Sequence, residues 1–134
     1  MKHFKLKEFV DSPTAACLGI DNTPDAAAVD ALRRLAENVL DPLREALGMP
    51  IYVNSGYRSP RLNAMVGGVK TSQHLKGEAA DITTGTRDGN INLWRTLKRL
   101  RLPIDQAINE HGYAWIHVSY SSRHRREYLT QIGH

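Results

Sequence analysis

Apolar residues recur at helical spacing between Pro24 and Leu47, where Ala28, Leu32, Leu35, Val39, Leu43 and Ala46 fall on one stripe. Pro42 predicts an interruption or kink there, with Asp41 capping a fresh turn that carries the proline at its first position. Gly48 and Pro50 should stop the helix. A short helix is predicted over Lys5–Val10, docked by Phe4, Leu6 and Phe9. Another is predicted over Ser59–Val66, with Ser59 as cap, Pro60 in its first turn and Gly67-Gly68 at its end. Asn90–Leu102 is amphipathic through Ile91, Leu93, Trp94, Leu97 and Leu100. A last helix is predicted over Arg125–Ile132.

Four segments read as strands: Ile51–Asn54, Ala79–Thr83, Ile104–Glu110 and Trp115–Tyr120. The last two are joined by His111-Gly112-Tyr113-Ala114, a four-residue hairpin loop. Alternation places Ile116, Val118 and Tyr120 on the core face of the final strand and turns Trp115, His117 and Ser119 toward a polar groove. The sum is an α+β fold, a small antiparallel sheet with flanking helices, in one domain spanning residues 1–134 with no internal repeat.

Composition narrows the chemistry. With 41% hydrophobic and 24% charged residues in 134, the chain is globular and long enough to bury a core without staples. Cys17 is the only cysteine, so an internal disulfide and a cysteine-rich zinc site are excluded. Any metal must be held by His and carboxylates. The net charge of +4 suits an anionic partner, nucleic acid or cell wall, without choosing between them. Arg123, Arg125 and Arg126 form a basic run, but aromatic residues are not interleaved with it and no nucleic-acid motif is present, so a nucleic-acid partner is not expected. No apolar run approaches a membrane span, and no membrane partner is expected. The N-terminus lacks the apolar stretch of a signal peptide.

His74 and Asp81, seven positions apart in SQHLKGEAAD, are one candidate pair of metal ligands, and His117 in WIHVSY is a third. Two His and one carboxylate form a donor set of catalytic zinc sites. The same residues also read as hydrogen-bonded structural histidines and a tight loop entering a strand. Residue chemistry alone leaves both readings open.

SGYRSP (55–60), the LNAMVGG that follows, SQHLKGEAAD and WIHVSY occur in fixed order. Together they resemble the zinc D-Ala-D-Ala carboxypeptidase family of peptidoglycan peptidases, whose superfamily includes lysostaphin-type peptidases and the Hedgehog signalling domain. HFKLKEF and GIDNTP are similar to small phage and prophage members. The resemblance implies a Hedgehog/DD-peptidase-like fold, Zn²⁺ as cofactor, ligands His74 and Asp81 within an S-x-H-x6-D element that begins at Ser72, His117 of the late strand as third ligand, and a peptidoglycan stem peptide as substrate. It implies that Arg58 binds the substrate's carboxylate or a nearby polar group of it; a guanidinium can grip a carboxylate with two parallel hydrogen bonds. A monomer is expected. With no signal peptide, the expected route is synthesis in a cytoplasm and delivery to the wall by phage lysis machinery or a virion.

One departure matters. Relatives place an acidic residue three positions before the last His ligand, or a His two before it; here those positions hold Ala114 and Trp115. If residues 111–114 form the loop, Glu110 pairs with Trp115, shares its face and lies diagonal to His117, roughly 7 Å away at the backbone. Glu110 is therefore the candidate general base and acid, with His111 next. Trp115 lines the substrate groove or the edge of the core. Ser72 and Gln73 orient His74, touch substrate or serve the turn. Glu78 points to the opposite face, as a structural or exposed residue. The alternative to an enzyme is a catalytically inactive zinc-containing wall-binding or virion structural module.

Overall fold

The computed structural model describes residues 1–131 and the side chains of 1–130. Local capping sets most of its helices. Helix α1 (Leu6–Val10) is closed by Lys5 and Glu8, whose carboxylate accepts the Lys5 amide at 2.7 Å. Helix α2 (Pro13–Leu18) starts at Ser12, whose hydroxyl accepts from Ala15, with Pro13 in the first turn. Helix α3 (Ala26–Leu35) is capped by Asp25.

The chain does not break at Pro42. A π-type turn (Ala36–Leu40) carries α3 directly into α4 (Asp41–Leu47). Proline lacks an amide proton and its ring crowds the carbonyl four residues back. Widening the preceding turn relieves that crowding and keeps the helix continuous. Asp41 does not cap a new turn; it is buried and accepts the backbone amides of Lys2 and His3 at 2.9 and 3.0 Å. Gly48 stops α4 in the left-handed conformation, as expected.

Strand β1 (Tyr52–Ser55), helix α5 (Pro60–Met65) with its Ser59 cap, and strand β2 (Ala79–Thr83) follow. Helix α6 (Arg87–Leu100) begins three residues before the predicted Asn90, because Thr86 caps it by accepting from Gly89. Strands β3 (Gln106–Glu110) and β4 (Trp115–Ser119) form the expected hairpin, with Glu110 opposite Trp115.

The final segment corrects the predicted helix over Arg125–Ile132. Residues Glu127–Gln131 form strand β5, and Ile132 lies outside the described residues. No cap starts a helix there; Arg126 and Glu127 instead donate their amides to Ile104 and Asp105 and lead the chain into pairing with β3. That pairing is parallel, so the sheet is mixed rather than purely antiparallel, in the order β1-β2-β4-β3-β5.

One face of this sheet is covered. Ala80 and Ile82 of β2, Ala107 of β3, and Ile116 and Val118 of β4 pack against Leu35, Val39 and Leu43 of the long helix and Leu93 and Leu97 of α6, all fully buried. The long helix and α6 cover this face, and the alternate residues of the central strands, Asp81, Ile108 and His117, stand on the other.

A carboxylate pins the C-terminal segment to the rest. Asp105 is fully buried, accepts from Nε and Nη2 of Arg125 at 2.7 and 3.1 Å, pairs with Arg123 at 2.9 Å and accepts from Gln73 Nε2 at 2.8 Å. The Arg125 contact above all, against the opposing effect of burial, holds its carboxyl well below the usual carboxylate range. A depressed pKa adds stability that is complete above the unfolded value of about 3.9 and is lost as pH falls below it. Asp105→Asn is expected to lose about 2–3 kcal/mol at neutral pH. Its urea-unfolding free energy should also fall less steeply than wild type below about pH 4.

Candidate metal centre

Asp81 and His117 are direct partners across the β2–β4 ladder, so backbone hydrogen bonding alone brings their side chains together on the open face. His74 arrives from a different element. It lies on a 3₁₀ turn (Gln73–Lys76) begun by Ser72, whose hydroxyl accepts the His74 amide at 3.2 Å. Gly77 ends the turn at φ 73°, and a Cβ there would stand 2.4 Å from the Ala28 carbonyl oxygen. Only glycine both adopts that φ freely and leaves that space. This reversal sends the chain into β2 and places Asp81 under His74.

The result is a tight cluster. His117 Nδ1 lies 2.9 Å from Asp81 Oδ1, and His74 Nε2 lies 3.5 Å from the same oxygen. One ligand atom from each of the three residues falls within 4.8 Å of the others. Zinc–ligand bonds of about 2.0–2.2 Å in a tetrahedron put donor atoms roughly 3.4 Å apart, so the trio fits that ion with small adjustments. Burial alone would raise the Asp81 carboxyl, but hydrogen bonds and charge from His117 and His74 outweigh it and hold the group well below the usual range. Asp81 is therefore an ionised carboxylate, suited to hold a cation with the two histidines.

The His74 ring is oriented by the backbone. Its Nδ1 is 2.6 Å from the Gly56 carbonyl oxygen. A carbonyl only accepts, so Nδ1 carries the proton and Nε2 keeps its lone pair toward the site. Gly56 is held in turn against α1: a Cβ there would meet the Phe9 carbonyl oxygen at 2.5 Å and its Cα at 2.8 Å, while Tyr57 donates its amide to that same oxygen. Backbone meets backbone, and neither side can yield cheaply. Gly56→Ala is expected to cost about 1–3 kcal/mol of stability by crowding. Displacing the carbonyl should also weaken zinc binding roughly 10- to 100-fold, read by competitive titration with a chelating dye.

Arg58 is mostly buried and fixed on the rim. Its Nε donates to Ser55 Oγ at 3.2 Å, its Nη1 to Asn63 Oδ1 at 3.3 Å, and its Nη2 lies 3.7 Å from Asp81 Oδ2. Asn63 is itself held by donating to the Val69 carbonyl at 2.9 Å. Gln73 does not touch the imidazole; it is spent on Asp105.

Glu110 stands across from Trp115 on the open face of the sheet. Burial and then the negative charge of Asp81 push its carboxyl above the ordinary value, with His117 and His111 pulling the other way. His111 packs its ring on Trp115 with centroids 4.7 Å apart. The loop between them is wound tightly, with His111, Gly112 and Tyr113 all at positive φ. Asn109 accepts the Tyr113 amide, and buried Asn90 donates to the Tyr113 and Ala114 carbonyls at 2.9 and 3.1 Å.

Sequence reasoning missed Gly56, Asn63, Asn90 and Asp105. Asn63 and Gly56 lie inside the quoted motifs, so a signal was present for them. Asn90 and Asp105 lie outside those motifs, and only tertiary contacts reveal their roles.

The model of the peptidase M15 family matches residues 2–119. A curated relative, the "Zinc D-Ala-D-Ala carboxypeptidase" of Streptomyces albus G, is 45% identical over 49 residues, 36% of this chain. The aligned part covers 19% of that relative's own length.

Proposed function

The chain belongs to the peptidase M15 family, and from that premise we propose that it is a zinc-dependent peptidase cleaving peptidoglycan stem peptides at a bond involving a D-amino acid, as a carboxypeptidase or an endopeptidase. The observation that carries this is the convergence of His74, Asp81 and His117 on one point of the open sheet face. Two imidazoles and one carboxylate would hold Zn²⁺ with net positive charge, and the bound ion would supply Lewis-acid chemistry, polarising a scissile carbonyl and making water a better acid.

The other side chains divide the remaining work. Glu110 takes a proton from the attacking water and returns it to the leaving amine; its raised pKa suits a group that must both accept and release a proton. Arg58, braced by Ser55 and Asn63, grips a substrate carboxylate. Trp115 walls the groove, and the Ser72 hydroxyl lies at its His74 end. Likeness of the N-terminal segment to small phage and prophage members supports use as an endolysin or tail-associated wall hydrolase.

Ala114, at the position where relatives carry an acidic group, favours a second reading: a module that keeps the ion and the fold without turnover. Digestion separates the two. Zinc-loaded protein is expected to release new amino termini from peptidoglycan, EDTA to abolish this, and mass spectrometry of the muropeptides to identify the bond. Zinc bound without new amino groups on any wall chemotype would leave the second reading.

A further inference from the structure

Helix α6 ends in a run of cations with no acidic neighbour in sequence. Between Asp88 and Asp105 the chain has Arg95, Lys98, Arg99 and Arg101 and no carboxylate. Folding adds Arg126. Lys98, Arg101, Arg126 and Tyr128 line one pocket of about 430 Å³. Together these five cations exceed the net charge of +4 for the whole chain.

Their environment differs from that of Arg33, Arg34, Arg123 and Arg125. Arg123 and Arg125 are neutralised by Asp105 and Glu127, and Arg33 and Arg34 by Asp30. Among the described residues, none of the five makes an ion pair. Arg95 faces Lys98 and Arg99 at the three- and four-residue spacings where like charges repel along a helix. The negative C-terminal end of α6 offsets part of this for Lys98 and Arg99, but it does not reach Arg95 in mid-helix.

The backbone also works to hold this arrangement. Arg101 and Arg126 sit at φ 51° each, left-handed positions where glycine or asparagine would be easier. The Lys98 ammonium lies over the Tyr128 and Trp94 rings at 5.6 and 5.8 Å, which fixes it on the pocket wall.

We propose that this pocket and the flanking α6 cations bind a phosphodiester-bearing polymer of the cell wall. A polyanion gains most from several unpaired cations on one surface. Tyr128 is the one ring lining the pocket and Trp94 is buried, which offers no stacking ladder for bases, so a nucleic acid fits less well. The choice of a wall polymer rests on the peptidase reading above. The location suits it: Tyr128 pairs with Ala107 on the covered face of the sheet, opposite the metal cluster, so a bound polymer leaves the site face open.

The test is co-sedimentation of the zinc-loaded protein with sacculi bearing a phosphodiester polymer, and with the same sacculi after hydrofluoric acid has cleaved their phosphodiesters. Wild type should sediment with the first and be retained at least tenfold less by the second, with binding weakened by salt. The triple variant Lys98→Gln, Arg101→Asn, Arg126→Asn should show a similar loss. Asparagine accepts the left-handed backbone, so fold and zinc content stay intact. Equal retention on stripped sacculi, or by the triple variant, overturns the proposal. Stronger competition by a short DNA duplex than by the soluble polymer at equal phosphate overturns it in favour of nucleic acid. Hydrolysis of a soluble muropeptide, measured alongside, reports on the peptidase reading: its absence with binding intact counts against that reading and not against the surface.

Discussion

Replacing His74, Asp81 or His117 with alanine is expected to cut zinc content to near background and to remove peptidase activity. Each substitution leaves two donors, and two donors bind far more weakly than three. The three cases differ in a way that checks the geometry. Loss of Asp81 removes the only negative charge of the donor set, and leaves Arg58, 3.7 Å from it, without that partner. Asp81→Ala should therefore lower zinc affinity most and perturb Arg58 as well. Loss of His74 frees the Gly56 carbonyl from its 2.6 Å contact. Loss of His117 removes a ring from the open face and leaves the ladder with Asp81 intact. Zinc stoichiometry by atomic emission and the rate of amine release are the measurements. A variant with full zinc content would show that its residue is not a ligand.

Glu110→Gln is expected to keep its zinc and lose turnover, by roughly 100- to 10,000-fold for a missing acid–base group. The replacement has nearly the same shape and leaves the Trp115 pairing in place, so KM should change little. The separation of kcat from zinc content is what distinguishes this residue from the ligands. Full turnover in the variant would move the proton transfer elsewhere, and His111, stacked on Trp115, would be examined next.

Much of this was legible in the chain because it is written in local rules. The Glu110–Trp115 register follows from loop length and alternation, and the structure reproduces it. Both His117 on the open face and the Ser59–Pro60 helix start follow the same logic. The same Ser-Pro pattern at Ser12–Pro13 starts α2, a helix absent from the predicted elements. The C-terminal segment failed for a different reason. Strand β5 is held by parallel pairing to a strand some twenty residues away and by Asp105, and no short-range pattern encodes either. The candidate ligand trio was visible as residue types, while its assembly depends on two close backbone approaches, at Gly56 and Gly77, that only the folded chain displays.

The pairing of Asp81 with His117 in the middle of the sheet bears on how the ion is acquired. Strands β2 and β4 are both interior to the sheet, and their ladder is independent of any bound group. Two of the three candidate donors thus sit on interior strands, where amide hydrogen exchange should be slow. The protein should therefore be a prefolded receptor for its ion, unlike small zinc modules that order only when loaded. Chelation should leave a folded apoprotein that reloads at the pace of metal entry, with no refolding step to wait for.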